Sequence, residues 1–256
     1  MQHADGQLIA FTDDDCQPEP GWLLAFQAAH RLAPFAMLGG YTRNALPRNP
    51  FATTSQLLID YLYGYYNGAS NDGRMFTSNN MAVSRDRFLE EGGFDPLFSS
   101  AAGEDRDLSA RWRHRGWGLH YTPEAVVAHA HPLTLRTFVR QHFRYGRAAY
   151  YYRVREAGRS AQGVRLEPAA FYIEMVRLPF RRAGTLEGAR NAALLMVSQA
   201  WNAAGYLWEK IVADDRIDAP PSSLAPDGEP VSSNARGAQT GSSPKRLDQH
   251  ASVTNR

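Results

Sequence analysis

The stretch Ile9-Ala10-Phe11-Thr12-Asp13-Asp14-Asp15-Cys16 constrains the chain more than any other, because an apolar run stops on three consecutive carboxylates and is followed by Pro18, Pro20 and Gly21. Four apolar or small residues bounded by turn formers predict a strand buried on both faces. The carboxylates then fall at its C-terminal end, where open α/β sheets bind ligands. Adjacent carboxylates repel one another unless a cation or another positive group lies between them, so this edge is a candidate metal site. Taken alone, the triplet reads more readily as a turn or helix cap, with Pro20 starting a helix over Gly21 to Ala33.

A chain of 256 residues allows one substantial core plus extra segments. The formal charge of +2 argues against nucleic acid as the main partner. Cys16 is the single cysteine, which excludes an internal disulfide and points to a reducing compartment. Met1 to Leu8 is polar rather than a signal-peptide core, and no uninterrupted apolar run is long enough to span a bilayer. The acidic strand begins almost at Met1, although a strand at that point of a doubly wound sheet normally follows strand–helix units of about 30 residues or more each. A fold lacking its first units is therefore expected.

Periodicity predicts a short strand over Met37–Tyr41 ending on glycines, a helix over Asn49–Tyr66 and a mobile loop over Asn67–Arg74. The cluster Tyr61, Tyr63, Tyr65 and Tyr66 suits packing better than sugar stacking. A polar loop enters a strand ending at Ser84, and a helix from Arg85 to Glu91 stops on Gly92-Gly93. The next helix, Asp105–Arg115, carries Glu104 and Asp105 at its start, where carboxylates cap a helix whether or not they do chemistry. Leu119–Tyr121 and Ala125–His131 read as two strands separated by a Thr122-Pro123-Glu124 turn, with His129 and His131 on one face. Two alternating histidines in a chain with an acidic triplet shift the balance toward metal binding.

Leu135–Val154 reads as a basic, aromatic helix, and Glu167–Phe180 and Thr185–Val212 as amphipathic helices. The aromatic and basic character of Arg177–Val212 suits a membrane interface, and equally packing against the main domain or a partner chain. The segment Asp218–Arg256 has no aromatics and many Pro, Ser, Gly and Ala residues, which predicts a disordered tail.

In order along the chain, IAFTDDDC with the following PGWL, then TSNNMAVSR, EEGGFD, AAGEDRDLSARWRHRG and YTPEAVVAHAH resemble the inverting family 2 glycosyltransferases of the GT-A fold, over roughly Ala4 to Tyr150. The resemblance implies an α/β, Rossmann-like GT-A sheet with flanking helices and without its first units. It divides the chain into a partial catalytic domain over 1–155, a C-terminal helical segment over 156–217 and the disordered tail over 218–256. Asp13 and Asp15 fall on the family's Asp-x-Asp motif, with Asp15 the usual metal ligand and Asp13 near the ribose or the metal's waters. His129 falls where some members supply an imidazole to the metal, with His131 as the alternative. Asp105 corresponds to the catalytic base, beside Glu104, while Asn79, Asn80 and Gly103 fall with donor or acceptor binding. Gln141, Arg144 and Tyr145 resemble a Gln-x-x-Arg-Trp element of polysaccharide synthases, with tyrosine in the tryptophan position, and join the same binding set.

The implied cofactor is Mn2+ or Mg2+, since a hard cation held by carboxylates offsets charge on a departing diphosphate, and an imidazole ligand tilts the choice toward Mn2+. A positioned carboxylate that deprotonates the acceptor hydroxyl gives single displacement with inversion, leaving Cys16 as a packing residue. The implied partners are a nucleotide-sugar donor and a saccharide, lipid-linked or protein hydroxyl acceptor, at the cytoplasmic side, with peripheral membrane contact as an option. The alternative is a catalytically incompetent remnant or interaction module of the same family.

Overall fold

Side chains alternate across a central sheet and divide the core into two layers. The computed structural model describes residues 5–67, 73–98, 102–159 and 167–218. Its elements are β1 (Leu8–Thr12), β2 (Cys16–Pro18), α1 (Trp22–Leu32), β3 (Met37–Asn44), α2 (Pro50–Asn67), β4 (Asn80–Ser84) and α3 (Arg85–Glu90). A 3-10 turn (Pro96–Phe98) leads to α4 (Glu104–His114), β5 (Leu119–His129), α5 (Leu135–Arg159), α6 (Ala169–Arg182) and α7 (Thr185–Asp218). Of the disordered tail expected over 218–256, Asp218 ends α7 and 219–256 lie outside the described residues, as does 68–72 of the mobile loop expected over 67–74.

Met37, Met81 and Val83 face a cluster with Phe76, Phe88, Leu108 and Trp112. Their strand neighbours Leu38 and Ala82 face the opposite cluster, with Trp22, Phe26 and Val127. Helices α3 and α4 thus cover one face and α1 the other, a mixed α/β arrangement in which period-two strands feed two cores. Cys16 packs at the edge of the α1 layer, and burial pushes its thiol up to about 11, as befits a packing residue.

The strand order is β1-β4-β3-β5-β2. The pairing is antiparallel for β1–β4, β4–β3 and β5–β2, and parallel for β3–β5. The acidic triplet therefore joins the two edges of the sheet. Thr12 to Cys16 reaches at most about 14 Å, whereas a flat sheet of this order would part its edges by about 19 Å. The sheet must coil at this end, and the coil brings the carboxylates to the tip of β5.

Several local expectations give way to this topology. As an edge strand, β1 has one strand neighbour among the described residues, so Ile9, Ala10 and Phe11 are only half-buried and Thr12 is exposed, instead of buried on both faces. Pro20 does not open α1: Gly21, at φ 90°, is the cap, a conformation closed to proline. The glycines do not end β3, which continues to Asn44; a Cβ at Gly39 would lie 2.1 Å from the Phe76 ring, and one at Gly40 2.2 Å from the Ala125 carbonyl.

The expected turn at Thr122-Pro123-Glu124 is instead a bulge within one strand. Gly40 pairs with Thr122 and Tyr41 with Val126, so Pro123, which has no N–H to give a ladder, sits in the irregularity. Tyr63 is buried with its hydroxyl 2.9 Å from Thr77 Oγ1, and Tyr61, Tyr65 and Tyr66 pack against Phe171, which is the packing role expected of the cluster.

Leu58, Met175 and Leu195 tie α2, α6 and α7 together. Helices α5 and α7 cross where a Cβ on Gly146 would lie 1.9 Å from the Asn202 carbonyl, and one on Gly205 2.0 Å from that of Phe143. Beside the crossing, Arg147 and Tyr151 both bond the buried Glu209. Among the described residues, no helix is long and apolar enough to cross a membrane.

Candidate active site

The β2–β5 pairing sets Cys16 opposite His129, and the Ala130 N–H donates to the Asp15 carbonyl at 2.8 Å, extending the pairing past the strand. That register places Asp15 between two imidazoles. His131 Nδ1 lies 2.8 Å from Asp15 Oδ2, and His129 Nε2 lies 3.2 Å from Asp15 Oδ1. The two rings stack with centroids 5.3 Å apart. One ligand atom from each of the three residues lies within 4.8 Å of the others, a grouping suited to a metal ion.

The adjacent carboxyls are driven in opposite directions. Burial would raise the Asp15 pKa, but the hydrogen bonds and charges of His131 and His129 outweigh it and hold the carboxyl below its usual value. Partial burial and the Asp15 charge raise that of Asp13, which lies outside the three-residue group but lines the same cleft. The structure thus joins His131 to Asp15 and His129 as an equal member.

The cleft has a volume of about 650 Å³. Asp13, Asp15, His129 and His131 form one side, Ala102 and Glu104 at the head of α4 another, and Arg140, Gln141, Arg144 and Tyr145 of α5 a third. Ala102 and Gly103 both take positive φ, 71° and 95°, to turn the chain into α4. Gly103 is needed there on two counts, since a Cβ would also lie 3.1 Å from that of Ala148 on α5. Its place is at the packed neck of the loop.

Asp105 stands one residue into α4. Its Oδ2 accepts from the Ser78 N–H at 3.3 Å and its Oδ1 from the Arg106 N–H at 2.6 Å. Burial and the neighbouring Glu104 charge nonetheless push its pKa up to about 6. A carboxyl poised there suits proton transfer near neutral pH. Tyr145, whose hydroxyl accepts from Gln141 Nε2 at 2.6 Å, is pushed up to about 12 by burial and by the charges of Asp105, Glu104 and Asp13, so it stays a neutral phenol facing the carboxylates.

The two asparagines differ in place. Asn79 Oδ1 accepts from the Thr77 hydroxyl at 2.7 Å, which orders the turn that presents the Ser78 N–H to Asp105. Asn80, expected beside the ligand, is fully buried and bonded within the fold: it accepts from Trp22 Nε1 at 2.8 Å and donates to the carbonyls of Tyr41 and Ala125, each at 2.9 Å. It closes the β5 bulge and is unavailable to a ligand.

Arg140 and Thr137 also line the cleft: Arg140 belongs to the basic run of α5, whose cations suit a diphosphate or lipid but read by default as a solvated face, and Thr137 carries no sequence signal. Arg140 precedes Arg144 by one helical turn, and that spacing was the available signal.

A coiled mixed sheet bordered by a cleft that gathers carboxylates and imidazoles is an α/β enzyme architecture with a candidate metal site. The description "Glycosyltransferase like family 2" matches residues 1–148, and the chain belongs to that family. No curated protein matches significantly. Among solved structures, the chain is similar to the mannosyltransferase PcManGT from Pyrobaculum calidifontis in complex with GDP-Man and Mn2+, at 14% identity and a TM-score of 0.43, covering 87% of this chain and 54% of that one. It is also similar to GalNAc-T7 with UDP, GalNAc and Mn2+, at 14% identity and a TM-score of 0.40, covering 68% and 39%. The chain thus spans about half or less of the length of either structure.

Proposed function

We propose that the chain carries the metal and base side of an inverting glycosyltransferase, which moves a sugar from a nucleoside-diphosphate donor to a hydroxyl acceptor. The observation that carries this reading is the cleft with Asp15, His129 and His131 on one wall and Glu104 at another, with Asp105 next to Glu104 in the first turn of α4 behind that wall. One carboxylate and two imidazoles fit a divalent first-row ion, and the nitrogen donors favour Mn2+ over Mg2+. Bound there, the ion would offset negative charge on the leaving diphosphate. Asp13, raised toward its neutral form, can hydrogen-bond a ribose hydroxyl or a water at the same edge. Arg144 and Arg140 offer cations to phosphate oxygens across the cleft.

Asp105 would take the proton from the attacking hydroxyl, and its two backbone N–H donors fix the carboxyl for that task. One base with no nucleophile of its own gives single displacement and inversion. The acceptor is a saccharide, lipid-linked or protein hydroxyl, and the free, partly buried Cys16 accords with a reducing, cytoplasmic setting.

The test is Mn2+ titration followed by electron paramagnetic resonance, with nucleoside-diphosphate release measured from nucleotide sugars. Asp15→Ala and His131→Ala should each weaken Mn2+ binding by tenfold or more, and Asp105→Asn should stop turnover while leaving Mn2+ binding intact. Mn2+ binding indifferent to both metal-site variants, or turnover that survives Asp105→Asn, would overturn the assignment.

A further inference from the structure

From Ala193 to Ile211, the outward side of α7 is apolar, with Lys210 the exposed charge at its margin. Projected at about 100° per residue, Met196, Trp201, Leu207, Trp208 and Ile211 fall on one side, and they are 42–60% exposed. Ala193, Ala200 and Ala204 fill the gaps between them and are likewise exposed. The stripe runs for about 27 Å at 1.5 Å per residue. The opposite side of α7 is consumed by the fold: Leu195, Ser198 and Glu209 are buried and Gly205 abuts α5. An apolar strip of this length on a soluble surface marks an interaction site.

We propose that this face docks α7 in the plane of an anionic lipid surface. Charge and residue type favour lipid over protein. Along α7 the exposed Arg190 pairs with Glu187, Lys210 is a further exposed cation beside the strip, and Glu209 is buried against Arg147. At the α6–α7 elbow, Phe180 and Leu186 stand exposed beside Arg177 and Arg181, which share Glu174, and Arg182, which pairs with Asp60, so the cluster keeps a net positive charge. Both tryptophans lie along one margin of the stripe, as amphipathic rings do at a headgroup boundary. The helix is not apolar enough to span, so it would lie in the interface.

Docking has a consequence for the cleft. Helix α5, which carries Arg144 and Tyr145, crosses α7 at Gly146 on the side away from the strip. The cleft would then be held one helix layer, about 10 Å, above the lipid, within reach of an acceptor carried by the membrane.

The docking itself is independent of the transferase reading. The experiment is co-sedimentation of the full chain with vesicles of phosphatidylcholine alone or with a quarter phosphatidylglycerol, together with tryptophan emission. Binding to the anionic vesicles, a blue shift and weakening with salt are expected. The double variant Leu207→Glu and Trp208→Glu should lower vesicle binding about tenfold or more, with circular dichroism, melting temperature and Mn2+ affinity unchanged. Failure to bind either vesicle, or binding equal in wild type and variant, would overturn the proposal. So would a dimer in solution that the double variant dissociates while vesicles capture neither form.

Discussion

Substituting Asn80 tests whether the strand that delivers His129 is held by one buried amide. In Asn80→Ala, the Trp22 indole N–H loses its acceptor and the carbonyls of Tyr41 and Ala125 lose a donor each, the Trp22 and Ala125 bonds being buried and the Tyr41 bond part-buried. An orphaned buried donor costs about 1–3 kcal/mol and each net hydrogen bond about 1 kcal/mol, so the loss should be about 3–5 kcal/mol after incomplete additivity and the small cavity. Asn80→Asp sharpens the test, because it keeps the shape and the Trp22 bond but turns a carboxylate toward two carbonyl oxygens. That carboxyl must have a folded pKa above its unfolded value of about 3.9. Its protonated form then retains stability below that value, and the stability is lost as pH rises through the folded pKa. Urea unfolding at pH 4 and pH 7.5 should show a smaller deficit for Asn80→Asp at the lower pH, and a pH-independent one for Asn80→Ala. A deficit under 1 kcal/mol in Asn80→Ala with an unchanged urea slope would refute the role.

Asp105, raised to about 6, contributes stability that is present below about pH 4 and lost as pH rises through about 6. The stability of Asp105→Asn relative to wild type should therefore improve between pH 4.5 and 7.5 in paired urea melts, while wild-type turnover rises with pH through about 6. Asp107 is fully buried between Arg111 Nε at 2.8 Å and Arg159 at 2.7 Å, so Asp107→Ala should cost about 1–3 kcal/mol in chemical denaturation, less than an unpaired buried charge would, because Arg111 keeps Glu91 and the Gly93 carbonyl and Arg159 keeps Glu156. Gly146→Ala should cost about 1–3 kcal/mol or more by wedging α5 from α7, read as a lower melting temperature.

Much of the fold was legible because burial and periodicity agree. Leu108 and Trp112 mark the inner face of α4, and Gly92-Gly93, at φ 81° and 73°, end α3 as their doubling implies. What misled was local reading of residues whose conformation is set by partners far along the chain. Pro123 looks like a turn until the pairing of β3 with β5 makes it a bulge, and Gly39-Gly40 look like a strand end until Phe76 and Ala125 are seen to press on them. The strand expected to be buried on both faces is an edge, which no feature of its own side chains records. Within the site, Asp15 and His129 stood out by type, but the equal part of His131 depends on the chain leaving β5 one residue past its pairing with Asp15.

The same geometry separates what a motif locates from what its residues do. Asn79 and Asn80 are neighbours in one polar loop, yet the second is spent on Trp22 and the β5 bulge, while the first orders the turn whose Ser78 N–H holds Asp105. The loop thus reaches both halves of the cleft from below, through a backbone amide on the acid side and through the strand that carries the histidines. Asp13 and Asp15 are likewise near neighbours driven apart in acidity, because burial and the Asp15 charge raise Asp13 while the two imidazoles outweigh burial at Asp15. On the proposed reading a cation at Asp15 and the raised Asp105 carboxyl are kept apart, and Asn79 and Asn80 act on that arrangement through the backbone and Trp22 rather than by touching either. Asn80 is therefore the position where loss of stability and loss of Mn2+ affinity should appear together, whereas Asp105→Asn should separate turnover from both.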